Sequence, residues 1–335
     1  MQINFFAEKN CLKKLSQLGD PLEKLDVIDF ELFRAKLDKA LLKERRNNAG
    51  RPAFDRIMMF KILILQRLFN LSDDQTEFLI TDRMSFQRFL GLALGSPVPD
   101  AKTIWYFREQ LTKNGVIDEL FKDFNRLVES QGLIARQGSI IDATFIDAPK
   151  QRNKPEENQA VKEGKTPEEW KEKPHKLAQK DVDARWTKKG DERHFGYKNH
   201  VKVDSKSKMI LDYRTTAASV HDSNCFGELL DKYDRVIYAD SGYVGKEIPA
   251  HIKNEVCERR YRGKPLSEKQ KAENRRKSKI RCRIEHVFGF MTVAMRGITV
   301  RSIGIRRAEF VNGLTNLVYN MFRFAFLRRK CFSAG

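Results

Sequence analysis

Ser139-Ile140-Ile141-Asp142-Ala143-Thr144-Phe145-Ile146-Asp147 decides how the rest of this 335-residue chain reads. The run is short, rich in β-branched residues and bounded by Gly138 and Pro149, which predicts a buried strand. Side chains alternate along a strand, so Asp142 shares a face with Ile140, Thr144 and Ile146 while Asp147 points the other way. A carboxylate set in an apolar strand is costly to bury without a partner, which makes Asp142 a candidate for function.

Before this strand, from Met1 to about Gly132, the apolar residues recur at helical spacing and nothing alternates as strand. Gly50-Arg51-Pro52 punctuates the entry to a helix over Asp55–Phe69, Ser72-x-x-Gln75 has the form of a capping box, and Asp100 or Thr103 caps the next segment. Ile117, Leu120, Phe121, Phe124, Leu127 and Val128 predict a further helix stopped at Gly132. Trp105, Tyr106 and Phe107 could stack on bases, although aromatics at such spacing are more often core.

After the strand the chain changes character. Pro149 to about Asp191 is polar, charged and proline-interrupted, an inserted loop in which Trp170 and Trp186 stand out, either as anchors to a core or as stacking platforms. Phe195–Val203 alternates around the turn Asp204-Ser205-Lys206-Ser207 and returns through Met209–Thr216, a hairpin. Asp222 is placed to cap a helix over Asn224–Tyr233, and Val236-Ile237-Tyr238-Ala239-Asp240 is another buried strand that delivers Asp240 at its carboxyl end. This succession is an α/β layout, in which ligands gather beyond the carboxyl ends of adjacent strands. The expected organisation is a helical region, 1–132, followed by an α/β domain, 133–335, carrying an insertion at about 149–191.

Arg275 to Met291 reads as one amphipathic helix, with Ile280, Ile284, Val287, Phe288 and Met291 on its apolar face and Glu285 at the edge of that face. At about 100° per residue, Ser278, Arg281 and Thr292 share the glutamate's stripe. The helix sits in the most basic part of a basic protein. The net charge is +19, and residues 251–310 hold 17 Lys and Arg against 6 Asp and Glu, so 11 of the 19 excess positive charges lie there. That footprint suits nucleic acid; an anionic membrane fits less well, since no isolated amphipathic segment carries bulky aromatics among the cations. The five cysteines are odd in number, scattered and without a C-x-x-C pair, which fits a reducing cytoplasm and no zinc site. Met1–Leu15 lacks signal-peptide architecture, and the most apolar run, Ile57–Phe69, is interrupted by Lys61, Gln66 and Arg67, so no membrane span is expected.

Taken singly, each acid has a plain structural reading: Asp142 could terminate a strand, Asp240 precedes a Ser-Gly turn, and Glu285 could form a surface pair with Arg281. Taken together they suit hard divalent cations, which take oxygen ligands and are commonly held by a few carboxylates plus substrate phosphates. Two such ions roughly 3.5–4 Å apart favour in-line displacement at phosphorus, with surrounding cations holding the nucleic-acid backbone.

Several blocks, in order, carry a resemblance: Ile141-Asp142-Ala143-Thr144 with Ala148-Pro149, Gly196-Tyr197-Lys198-x-His200, Val220-His221-Asp222, Tyr238-Ala239-Asp240-Ser241-Gly242-Tyr243, and Arg281-Cys282-Arg283-Ile284-Glu285-His286-Val287-Phe288-Gly289. The sequence resembles the DDE transposases of bacterial insertion sequences, most of all the group named after insertion sequence five, and Gly50–Asp55 through Phe107-Arg108 is similar to that family's helical domain. The resemblance implies an RNase H-like mixed sheet flanked by helices, an all-helical N-terminal domain for DNA binding or dimerisation, and Asp142, Asp240 and Glu285 as catalytic, metal-binding triad. It implies two Mg²⁺ ions, replaceable by Mn²⁺, hydrolysis at the terminal inverted repeats of an element, and attack of the freed 3′-hydroxyl on target DNA. A homodimer or larger assembly on double-stranded DNA, in the cytoplasm at the nucleoid, follows from the same resemblance. Arg281 matches the arginine of the family's Tyr-Arg-Glu-Lys signature, whereas Ser278 and Thr292 stand at its tyrosine and lysine positions. Candidate DNA contacts are therefore Arg281, Arg276, Lys277, Lys279 and Arg283 around the glutamate, Lys198 and His200 of the hairpin, and Trp186. A nuclease or resolvase that cuts without joining, and a DNA-binding regulator without catalysis, are the competing functions.

Overall fold

The computed structural model describes residues 7–41 and 52–333. Gly50 and Arg51, expected to punctuate the entry to a helix, lie outside them. Contacts divide the chain into two compact units, residues up to Leu127 together with those from Leu317, and residues Val128–Asn316.

The described residues of the first unit form helices and no strand: α1 Ala7–Gln17, α2 Arg34–Ala40, α3 Arg56–Phe69, α4 Asp73–Asp82, α5 Met84–Leu90, α6 Ala101–Lys113 and α7 Ile117–Ser130. Local chemistry sets the boundaries. The Asp55 carboxylate caps α3 by accepting from Met58 N–H, Ser72 and Gln75 form the full capping box of α4, and Asp100 caps α6. Asn70, in the left-handed conformation, ends α3. Phe33 anchors the core, its ring 5.1 Å from Phe60 and 6.4 Å from Phe124, and Phe124 meets Phe324 edge-on. Arg108 grips Asp73 through two nitrogens, at 2.5 and 2.9 Å, tying α6 to the start of α4. Phe107 is core, whereas Trp105 and Tyr106 are exposed.

The second unit is a six-stranded mixed sheet with helices around it. Its elements are β1 Ser139–Asp147, α8 Pro155–Lys162, α9 Glu168–Lys171, α10 Pro174–Leu177, β2 Arg185–Lys189, β3 Glu192–Asp204, β4 Ile210–Ala217, α11 Phe226–Leu229, β5 Val236–Ala239, β6 Lys253–Val256, α12 Glu268–Arg281 and α13 Glu285–Gly289. A long last helix, α14 Ile305–Ser333, contributes residues to both units. The sheet runs β2-β3-β1-β5-β6, with β4 also paired to β3. β3 pairs antiparallel with β1 along one edge; along the other it pairs with β2 up to Gly196 and with β4 from Tyr197 on. β5 and β6 run parallel to β1. Three antiparallel strands followed by two parallel ones is the RNase H-like arrangement that the resemblance implies.

Gly196 makes the partner switch possible. Its φ is +147°, and a Cβ there would stand 2.2 Å from the carbonyl oxygen of Ile146 on β1. One face of the sheet carries Ile141, Ile237, Ala239 and Val256 under Phe226, Leu229 and Tyr243. On the other face, the fully buried Asn199 of β3 bonds Asn312 and Asn316 of α14.

The segment before β5 departs from expectation. Instead of a helix over Asn224–Tyr233, a 3-10 turn at Asp222–Asn224, capped by His221 rather than Asp222, leads into the single helical turn α11. The aspartates are drawn elsewhere: Asp222 pairs with Lys198, while Asp231 and Asp234 pair with the buried Lys202. Within the insertion, Trp170 is fully buried and its indole N–H donates to Glu157 at 2.7 Å, so it serves as an anchor. β2 and β6 were not expected from the sequence.

Candidate active site

Parallel pairing sets two acids level with each other, where β5 ends. Ser139 stands opposite Ile237 and Ile140 opposite Tyr238; continuing that register two residues brings Asp142 level with Asp240. Asp240 ends β5 because its Oδ1 accepts from Gly242 N–H at 2.7 Å, closing the 3-10 turn Ser241–Tyr243. Asp142 is largely buried and accepts from Ala143 N–H at 2.9 Å. Burial pushes its carboxyl up to about 6; the negative charge of Asp240 adds to the rise, while the Ala143 N–H and Arg281 oppose it. Just beyond Asp240, the hydroxyl of Tyr243 is buried and has no hydrogen-bond partner among the described residues, and burial together with the charges of Asp142, Asp222 and Asp240 holds it protonated.

The expected single helix of Arg275–Met291 is interrupted. α12 ends at Arg281, Cys282–Ile284 forms a 3-10 turn, α13 begins at Glu285, and Phe290–Ala294 is a π turn. Of the expected apolar face, Ile284, Val287 and Met291 are buried, while Ile280 and Phe288 are only half-buried. The change of pitch moves the glutamate. Three residues at about 120° instead of about 100° advance Glu285 by about 60° around the axis relative to Arg281. Arg281 therefore reaches Asp142, Nη1 to Oδ2 at 3.2 Å, while Glu285 is exposed. After the π turn the chain returns to the end of β1, where Asp147 N–H donates to Ile298 and Val300 N–H donates to Asp147.

The structure thus brings together Asp142, Asp240 and Arg281, and leaves Glu285 apart. Among the described residues no group of three or more His, Cys, Asp or Glu stands close enough to hold a metal ion. The donor set nevertheless suits a hard cation: two aspartates on neighbouring strands, one buried enough to resist ionising beside the other, gain from positive charge between them.

The expected DNA contacts divide by burial. Lys198, His200 and Lys277 face inward, contrary to expectation. Lys198 donates to Val220 O and pairs with Asp222, His200 Nε2 meets the Thr216 hydroxyl, and Lys277 donates to Val256 O. On β3, Lys198 and His200 alternate with Tyr197, Asn199 and Val201, and the segment between β4 and β5 covers their face. Arg276 is engaged by Glu255 and Glu273, and Arg283 donates to Ser205 O. Lys279 is exposed, as is Trp186, which packs one side against Phe195. The Ser278 hydroxyl lies 3.9 Å from the Cys257 sulfur, and Thr292 donates to Phe288 O. Tyr243 and the cations of the loop after β6 were not singled out from the sequence. Tyr243 was legible only as part of the Asp240-Ser241-Gly242-Tyr243 block, and the loop only as charge.

Comparison with known families supplies the remaining observation. The model of the transposase DDE domain matches residues 134–321, and that of a transposase domain, DUF772, matches residues 10–110. No solved structure matches the chain. With the DDE domain matching more than half of the chain and a second transposase domain ahead of it, the protein belongs to the DDE transposases of insertion-sequence type.

Proposed function

We propose that this transposase cuts DNA at the ends of an insertion sequence and joins the freed 3′-ends to target DNA, with Asp142, Asp240 and Glu285 as its catalytic carboxylates. The observation that carries the proposal is the parallel β1–β5 register, which sets Asp142, in the middle of β1, level with Asp240 at the carboxyl end of β5. In the first reaction a water oxygen bonds to the end phosphorus as the bond to the 3′-oxygen breaks. In the second, that 3′-oxygen bonds to a target phosphorus and a target 3′-oxygen leaves.

Asp142 and Asp240 would hold divalent cations, and Glu285, which stands apart from them here, would have to move in with its helix to complete the set. Such ions, when bound, favour attack and departure at phosphorus by stabilising the negative charge on both oxygens. The chain's own residues do the rest. The Asp240 turn fixes one carboxylate by its bond to Gly242, the strand fixes the other, and Arg281 is placed to take a phosphate oxygen when it leaves Asp142. The helical region 1–132 is proposed to bind element ends or a second copy, and the α/β region 133–335 to perform the chemistry. Two ends must be cut in step, which favours a dimer or larger complex on the DNA. No helix among the described residues is long and apolar enough to cross a membrane.

The test is a duplex carrying an element end, incubated with Mg²⁺ and a target plasmid. Joined product supports transposition; nicked ends that never join would leave only a nuclease.

A further inference from the structure

The carboxyl end of β6 lies beside that of β5. Ala239 pairs with Val256, and Cys257 N–H continues the ladder by donating to Ala239 O at 3.1 Å. The chain that leaves β6 therefore departs next to Asp240, at the end of the sheet where the acids stand. What leaves is Glu258-Arg259-Arg260-Tyr261-Arg262-Gly263-Lys264, four cations against one carboxylate in seven residues.

This loop is firmly rooted and open at its tip. At the root, Cys257 is buried and the Asn274 side chain of α12 clamps Glu258 twice: its Oδ1 accepts from Glu258 N–H at 2.8 Å and its Nδ2 donates to Glu258 O at 3.0 Å. At the tip, Lys264 N–H donates to Tyr261 O at 3.1 Å and Gly263 has a φ of +75°, the left-handed position of a tight turn. Arg259, Arg260, Arg262 and Lys264 are all exposed, and among the described residues none of them has an ion-pair partner. Tyr261 is 54% exposed between them. Four cations held close on a fixed turn repel one another, and the matching partner is a polymer of regularly spaced negative charge rather than a single acid.

We propose that the turn Arg259–Lys264 is a clamp on the phosphate backbone of the duplex being cut, gripping it beside the scissile phosphate. The inference rests on the DNA-cutting function proposed above; the occupant is the duplex being cut, because the element end stays at the site through both reactions whereas the target enters only for the second. The exposed cations of α12, Arg275 and Lys279, extend the same basic surface.

The experiment measures binding of an element-end duplex across a salt series, for the wild type and for the variant Arg259→Ala/Arg260→Ala/Arg262→Ala/Lys264→Ala. All four side chains are exposed, so the variant is expected to fold, and an unchanged melting temperature verifies this. Each phosphate contact contributes about 0.9 to the slope of log K against log salt, so losing four should flatten the slope by about 3–4. A photo-crosslinking residue in place of Tyr261 is expected to attach within a few nucleotides of the element boundary. An unchanged slope, or crosslinks confined to DNA far from that boundary, would overturn the proposal. Wild-type cleavage is assayed in parallel. If the wild type cuts while the variant's slope is unchanged, the clamp alone fails; if the slope falls and the crosslinks map correctly but the wild type never cuts, the cutting function fails and the clamp stands.

Discussion

Arg281 donates from Nη1 to Oδ2 of Asp142 at 3.2 Å, joining residues 139 positions apart in the chain. The contact sets the middle of β1 against the end of α12, and it is the arginine's cation, not the neighbouring glutamate, that reaches the strand. Arg281→Ala is expected to reduce strand transfer by about ten- to a hundredfold, the loss of one charge-assisted contact of about 1.5–3 kcal/mol. Binding of the end duplex should change only a few-fold. Strand transfer at the wild-type rate would remove Arg281 from the reaction.

His200 gives a pH-dependent signature. Burial holds its imidazole down to about 4, with Lys198 adding to the fall and Asp222 opposing it. In the unfolded chain it takes a proton near 6.5. Below pH 6.5 the unfolded state therefore binds the extra proton, and stability falls as pH drops from 6.5 through about 4. By pH 5 this amounts to about 2 kcal/mol from this one group. Denaturant unfolding at pH 7 and pH 5 should show a smaller loss for His200→Gln than for the wild type; equal losses would mean that His200 is protonated in the fold.

Asn199 is fully buried and bonds Asn312 and Asn316 of α14. Asn199→Ala strands those amides in the interior and should cost about 2–4 kcal/mol. Equilibrium unfolding measures it, and a loss below about 0.5 kcal/mol would show the network to be dispensable.

Trp170 organises the insertion. It is fully buried, its N–H is taken by Glu157, and Lys180 lies 5.2 Å from its ring centre. Trp170→Ala should release the segment between β1 and β2, at a local cost of about 3–5 kcal/mol. Limited proteolysis should then cut the variant within residues 149–184 much faster than the wild type; equal rates would place the segment's anchor elsewhere.

How much of this was legible in the sequence depended on how strongly each element's own residues declared it. The run around Asp142 is β-branched and apolar, and it is a strand. The Phe195–Thr216 hairpin alternates, and it forms. Lys253-Asn254-Glu255 reads as polar connection and becomes β6 only because β5 offers a free edge, with Glu255 held by Lys253 and Arg276. β2 is basic and equally unmarked, being defined by its pairing with β3. Buried positions of α14 are occupied by Asn312, Thr315, Asn316 and Asn320, which dilutes its apolar period. In the site, the level placement of Asp142 and Asp240 needed the parallel pairing that chain order alone does not supply. The 3-10 turn at Cys282–Ile284, which turns Glu285 away from Arg281, contains no glycine or proline to announce it.

The role of the three carboxylates is tested most directly by assaying Asp142→Asn, Asp240→Asn and Glu285→Gln one at a time on an element-end duplex with Mg²⁺, with duplex binding measured alongside. Each substitution is expected to abolish cleavage while leaving DNA binding within a few-fold of the wild type. Full cleavage by any one of the three variants would contradict the assignment of that residue, and full cleavage by the Asp142 or Asp240 variant would contradict the site itself.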